Sequence, residues 1–275
     1  MDNNLGRERR MSRVLRHEDG KGVVIAVDHG LFMGPLSGVE RLDRTVASII
    51  GGKPDALQCT PPVANLLREN FLGCNSPALV ARIDTSNMWR MHPKQKEGYR
   101  RLLYSVKDAV RAGADAAVCF LLIGYGTDDQ EGNNMADIAA VASECEDYGL
   151  PLVVEPIGIA PGYQAVRDDE LIKLAVRMGF EAGADLLKVD YTGNMESFRA
   201  AVECTPLPAL VRGGPKTDSV EEAFQMAADA ISAGARGVVF GRNVWQYREP
   251  AKMVMAYNEI VHGSGKAREA MKKLK

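Results

Sequence analysis

Eight short β-like apolar runs recur along the chain, at residues 22–30, 55–60, 78–84, 114–124, 150–158, 184–193, 207–214 and 236–243. Longer amphipathic stretches lie between them, among them LDRTVASII, GYRRLLYSVKDAVRAG (98–113), NMADIAAVASECEDYG, DDELIKLAVRMGFEAG, SVEEAFQMAADAISAG and EPAKMVMAYNEIVHG. Alternation of strand and helix patterns predicts a parallel sheet, and eight such units predict a closed barrel. The expected fold class is therefore α/β, a single (β/α)8 TIM barrel spanning residues 1–275. Residues 1–20 form an N-terminal extension, with a short amphipathic helix expected over the barrel bottom. An open doubly wound sheet is the competing fold, but it wants GxGxxG after the first strand, and here that strand runs into DHGLFMGP. No composition break divides the chain.

Three junctions share similar words: RAGADAAV (111–118), EAGADLLKV (181–189) and SAGARGVVF (232–240). Each places glycine at a helix end, where a left-handed backbone costs little, and then enters a strand.

Side chains alternate along a strand, so the apolar outer rows of a barrel identify its inner row. In the first run Val23, Ile25 and Val27 oppose Val24, Ala26 and Asp28. In the fifth, Leu152 and Val154 oppose Val153 and Glu155. In the sixth, Leu187 and Val189 oppose Leu186, Lys188 and Asp190. Arg82 and Asp84 share a face of the third run, and Arg212 ends the seventh. Lys188, Arg82 and Arg212 are thus expected to face Asp28, Glu155, Asp190 and Asp84 near the C-terminal rim. Barrel enzymes keep their chemistry there, and buried charges must pair. By the same alternation His29 and Tyr191 fall outward. Tyr163 could reach the mouth. MWRMHPKQK (88–96) reads as a lid or an oligomer contact.

A lysine inside an apolar strand is the sharpest chemical signal. Burial and neighbouring cations lower its pKa, and a neutral amine attacks a carbonyl to give a Schiff base. An inward carboxylate such as Glu155 suits the proton transfers that follow. A lysine paired to Asp28 with no covalent role is the plainer alternative. RGGPK (212–216) and FGRN (240–243) end the last two strands, where barrels often bind phosphate through backbone N–H groups. Lys216 and Arg242 add charge there.

The formal net charge is −2, from 34 Lys+Arg against 36 Asp+Glu, which argues against nucleic acid and against a polybasic membrane protein. No apolar run approaches the ~20 residues that cross a bilayer. The first stretch lacks the apolar core of a signal peptide. Five cysteines without a CxxC pair, Cys59 included, fit a reduced, cytoplasmic setting. Four scattered histidines make no zinc signature.

AVDHG (26–30), LLKVDYTG (186–193), RGGPKT (212–217) and GRNVWQ (241–246) resemble the archaeal-type class I fructose-bisphosphate aldolases. They also resemble the related aminodideoxyheptulosonate synthases and autoinducer-2 thiolases; AVDHGLFMGPLSGVERLD is most like the last. The resemblance covers most of the chain. It implies a Schiff base on Lys188 and a substrate-orienting Asp28. It implies a substrate phosphate on the backbone of Gly213, Gly214, Gly241 and Arg242. It also implies no metal or organic cofactor, a phosphorylated-sugar substrate, and a homo-oligomer, with a decameric ring as the size to expect. Fructose-bisphosphate members carry Tyr-Pro-Arg-Gly at the end of strand 5, where this chain has Glu155-Pro156-Ile157-Gly158. Glutamate there resembles the tagatose-bisphosphate and sulfofructose-phosphate class I aldolases, and implies that Glu155 replaces the tyrosine as acid/base. Without the arginine, Arg82 or Arg90 becomes the expected holder of an anionic far end, with Arg212 and Asp190 as further substrate contacts. The reaction expected is reversible cleavage of a phosphorylated ketose to dihydroxyacetone phosphate and an aldehyde. The alternatives are a Schiff-base transferase of the transaldolase, heptulosonate synthase or thiolase kind, and a non-covalent phosphosugar isomerase or binding barrel.

Overall fold

The computed structural model describes residues 4–90, 92–93, 98–160, 164–165 and 168–275. Each of the eight apolar runs contains a strand: β1 Gly22–Ala26, β2 Ala56–Cys59, β3 Ala78–Arg82, β4 Ala116–Ile123, β5 Leu152–Ala160, β6 Leu186–Asp190, β7 Ala209–Arg212 and β8 Gly237–Phe240. All pair in parallel in chain order, β8 pairs with β1, and the barrel is closed, with helices between the strands.

The inner layers follow the alternation. Val24, Ala56, Ala78, Val80, Ala116, Val118, Val153, Leu186, Leu210 and Val239 fill the lower barrel. Their outward neighbours, such as Val23, Ile25, Leu187 and Val238, pack against the helices. Small side chains leave the bottom open, and the N-terminal helix Leu5–Val14 closes it by inserting Val14 and Leu15 into the lower layer.

Two of the repeated junction words, with Asp115 and Asp185, share a structural purpose with the Asp55 junction. Asp55, Asp115 and Asp185 each stand just before a strand, and each accepts a hydrogen bond from the first part of a neighbouring strand, at the N–H of Val23, Leu79 and Leu152 respectively (2.7–2.9 Å). Arg16, Arg13 and Arg7 of the N-terminal segment pair with these same three aspartates. Because the arginines are partly exposed, each pair adds little stability alone, ~0–1 kcal/mol. Together they fix how the helix lies across the bottom. Gly113, Gly183 and Gly234 have φ of +81°, +101° and +113°, the left-handed backbone expected of them.

One segment departs from the sequence reading. Residues 98–113, read as one helix, split into a strand Arg100–Leu102 and a helix Val106–Arg111. Ser105 starts the helix with a reciprocal cap to Asp108. Arg100–Leu102 pairs antiparallel with Asp84–Ser86, so a small ribbon rises beyond β3. Arg100 holds it by reaching Asp84 (2.8 Å) and Asp137 (2.6 Å). No helix among the described residues is long and apolar enough to cross a membrane.

Candidate active site

The rim of the barrel carries a continuous network of charge. Lys188, on β6, points inward and places Nζ 3.0 Å from Glu155 Oε2 and 3.4 Å from Gln58 Oε1. Gln58 in turn donates to Asp28. Arg82, fully buried, donates through Nε to Asp28 (3.0 Å), through Nη1 to Asp84 (3.1 Å) and through Nη2 to Glu155. Arg212 donates to Asp190 (2.6 Å) and Glu155 (3.4 Å). Asp190 and Arg212 are register partners on adjacent strands, which is why they meet. With Arg100 on Asp84, four of the described cations face four buried carboxylates, and Arg100 extends the network to the partly exposed Asp137. Breaking one member would strand a buried charge.

These neighbours set protonation. Burial pushes the Glu155 carboxyl up, but Lys188, Arg82 and Arg212 outweigh it and bring its pKa down to about 2. Asp28 is likewise held below the ordinary range by Arg82 and Lys188 against the effect of burial. Lys188 is pushed below 10.5 by burial first, while Glu155 and Asp28 oppose and Arg82 assists. The amine is thus nearer neutrality than a surface lysine.

The network floors a cavity of 790 Å³. Gly213, Gly214, Gly241 and Arg242 line one side of it. Gly214 has φ of +64°. A side chain at Gly213 would meet the Phe240 ring at 2.8 Å, and one at Gly241 would meet His29 Cε1 at 2.5 Å. Asn243 accepts from the Thr217 N–H (2.9 Å) and ties the Gly213–Thr217 loop to the turn Arg242–Trp245. Arg242 Nε is buried without a hydrogen-bond partner. Burial and then Arg212 lower its pKa.

These features sit in a sequence with clear relatives. A family model described as DeoC/LacD family aldolase matches residues 22–247. The chain belongs to the DeoC/LacD aldolase family. It is 45% identical over 273 residues to an uncharacterized aldolase of Saccharolobus solfataricus, covering 98% of this chain and 100% of that one. It is 33% identical over 267 residues to 2-amino-3,7-dideoxy-D-threo-hept-6-ulosonate synthase 1 of Archaeoglobus fulgidus, covering 97% and 95%. A solved archaeal fructose-1,6-bisphosphate aldolase, with its catalytic lysine bound to a carbinolamine intermediate, superposes with a TM-score of 0.81 at 26% identity. That match covers 94% of this chain and 100% of the other. The chain is an enzyme of the aldolase type.

Within this aldolase framework the inward residues expected from alternation, Asp28, Arg82, Asp84, Glu155, Lys188, Asp190 and Arg212, do converge. Arg82 departs from the expected substrate contact: all three of its nitrogens serve carboxylates. Arg90 is not part of the cavity lining, and its Nε donates to the Pro93 carbonyl (2.9 Å). The Gly213 N–H is already used by the Val239 carbonyl, so Gly213 contributes room beside the Phe240 ring. His29 corrects the alternation rule. β1 ends at Ala26, the chain turns, and His29 lines the cavity against Trp245 (ring centroids 5.3 Å). Burial brings its pKa down to about 4, so it is neutral. Tyr191 packs outward on Phe198 and also lines the cavity. Burial pushes the Cys59 thiol up, which makes it inert. Tyr163 lies outside the described residues. Gln58 was missed, although a lone amide in the run DALQCT obeys the same inward rule. Arg100 was hidden by the helical reading of its segment.

Proposed function

We propose that this chain is a class I aldolase that cleaves a phosphorylated ketose to dihydroxyacetone phosphate and an aldehyde, with Lys188 as the Schiff-base residue. The observation that carries this reading is the Lys188 amine: it is buried, its pKa is lowered, and it lies 3.0 Å from a carboxylate able to take its proton.

With that proton gone, the Nζ lone pair attacks the C2 carbonyl of the ketose, and loss of water leaves an iminium. Glu155 gives the lysine's proton to the hydroxyl that departs as water, is a carboxylate again, and takes the proton of the C4 hydroxyl. The C3–C4 electron pair moves into the iminium, and the aldehyde departs. The nitrogen becomes a neutral enamine in that step, so one of the cations holding Glu155 down disappears just as Glu155 gains a proton. Glu155 then returns the proton to C3, and water hydrolyses the new iminium to release dihydroxyacetone phosphate and the amine. Asp28, fixed by Arg82 and Gln58, is placed to hold a substrate hydroxyl. The Gly214, Gly241 and Arg242 side of the cavity takes the phosphate, and Arg242 with its unpaired Nε supplies charge.

A second reading, transfer of the enzyme-bound unit to another acceptor, is favoured by the relative named as a heptulosonate synthase. Product analysis separates the two. Incubated alone with phosphorylated ketoses, an aldolase accumulates dihydroxyacetone phosphate and aldehyde. Product that forms only when an acceptor is added contradicts cleavage and establishes transfer.

A further inference from the structure

The cavity is chemically lopsided. Its β7–β8 side has Gly214, Gly241, Lys216 and the unpaired Arg242 Nε. Its β1, β3 and β4 side is aromatic. Phe32 follows β1, Trp89 lies in a turn after the ribbon strand Asp84–Ser86, and Phe120 is on β4. Their ring centroids lie 5.3 Å (Phe32–Trp89), 5.0 Å (Trp89–Phe120) and 5.8 Å (Phe32–Phe120) apart, so they form one wall. Behind them sit Leu122 and Ile157, both buried.

The wall also shields the nearest cation. The Phe120 ring lies 3.8 Å from the Arg82 guanidinium carbon and covers it, while three carboxylates occupy its nitrogens. Arg212 is likewise committed to Asp190 and Glu155. Among the described residues that line the cavity, the cation on the aromatic side is Arg82, and carboxylates occupy it. A phosphate or carboxylate placed there would lose its water shell against apolar rings with nothing to replace it, which is strongly unfavourable. An apolar group there gains burial instead.

Resting on the aldolase reading above, we propose that the aldehyde half of the substrate is uncharged and apolar, seated on the Phe32–Trp89–Phe120 wall. This replaces the sequence-based expectation of an anionic far end. In the synthetic direction, C3 of the Lys188 enamine bonds to the aldehyde carbon. The carbonyl π pair moves to oxygen, which takes a proton, and water hydrolyses the resulting iminium to free the ketose and the amine.

The test measures kcat/KM with dihydroxyacetone phosphate and a panel of acceptors: butanal, glycolaldehyde and glyceraldehyde 3-phosphate. Butanal is expected to exceed glyceraldehyde 3-phosphate by ~10-fold or more, the scale a differently matched pocket provides. In Trp89→Ala the ratio of butanal to glycolaldehyde is expected to fall ~10-fold, and Trp89→Phe, which keeps a ring, should restore most of it. Preference for glyceraldehyde 3-phosphate, or an unchanged ratio in Trp89→Ala, overturns the proposal. Borohydride trapping with dihydroxyacetone phosphate alone runs beside it. An adduct together with a charged-acceptor preference overturns only the wall assignment. No adduct overturns the Schiff-base reading and this proposal with it.

Discussion

Lys188 Nζ and Glu155 Oε2 lie 3.0 Å apart, and both groups titrate lower than they do in water. Burial leads for Lys188, whereas the cations Lys188, Arg82 and Arg212 override burial for Glu155. The pair therefore rests as a carboxylate beside an amine that gives up its proton more readily than an exposed lysine does. In the proposed mechanism that relationship supplies both a nucleophile and a base from two adjacent strands.

Glu155→Gln keeps the shape and removes the charge. We expect kcat to fall by ~10²-fold or more, the usual worth of a positioned acid/base, with Lys188 still able to form an adduct. The pH dependence of adduct formation gives the sign. In the parent, the rate should rise with pH through an apparent pKa below 10.5. Since Glu155 pulls that value upward, the variant should show it lower still. Full turnover in the variant excludes Glu155 as the proton carrier.

Arg82→Met removes the common partner of Asp28, Asp84 and Glu155 while keeping an apolar stem over the same space. Stranding buried carboxylates should cost ~3–5 kcal/mol in urea unfolding. Arg41→Ala, at an exposed pair with Asp43, should be silent in the same measurement. Equal midpoints for the parent and Arg82→Met would show that the network carries no stability.

Gly241 has a negative φ, so its need is for space rather than for an unusual backbone. Gly241→Ala directs a methyl to within 2.5 Å of His29 Cε1 and 2.9 Å of the Ala26 carbonyl oxygen. If this side holds the phosphate, KM should rise ~10-fold or more for dihydroxyacetone phosphate, with a smaller rise for unphosphorylated dihydroxyacetone. Parallel rises for both ketones remove the phosphate from this side.

His262, at the end of helix Pro250–Val261, joins that helix to the barrel bottom through Asp19 (2.6 Å) and Asp55 (2.8 Å). Burial lowers its pKa, but hydrogen bonds to the two aspartates prevail and the net shift is above 6.5. A raised folded pKa means stabilisation that is full below the unfolded value and lost as pH climbs through the folded one. Asp19, lowered below 3.8 as its His262 contact outweighs burial, sets the acid limit, where the stabilisation fades again. The gap in unfolding midpoint between the parent and His262→Gln should be wider at pH ~5.5 than at pH ~9. A gap independent of pH contradicts the charged pairing.

Much of this site is legible in the sequence because a barrel strand obeys one local rule. Val153–Glu155 and Leu186–Lys188–Asp190 alternate against unbroken apolar rows, so their inward charges can be read off directly. The rule fails where the strand stops. His29 sits two residues into the turn after Val27, and only the turn geometry brings it to the mouth. It also fails where pairing is tertiary. Arg100 belongs to a ribbon because Asp84 and Asp137 hold it there, and no local period in residues 98–113 records that. Arg7, Arg13 and Arg16 of the N-terminal segment read as ordinary polar residues until three aspartates from distant junctions are brought beneath them. The aromatic wall is divided among three loops and strands far apart in the chain, so only folding reveals it.

The most direct measurement is reductive trapping of the parent protein with dihydroxyacetone phosphate and borohydride, followed by intact-mass and peptide mass spectrometry. The account predicts one reduced adduct per chain, located on Lys188 and absent from Lys188→Met. Turnover of a confirmed ketose phosphate with Lys188 left unmodified, or with activity surviving in Lys188→Met, would contradict it and leave Lys188 as a counter-ion to Glu155.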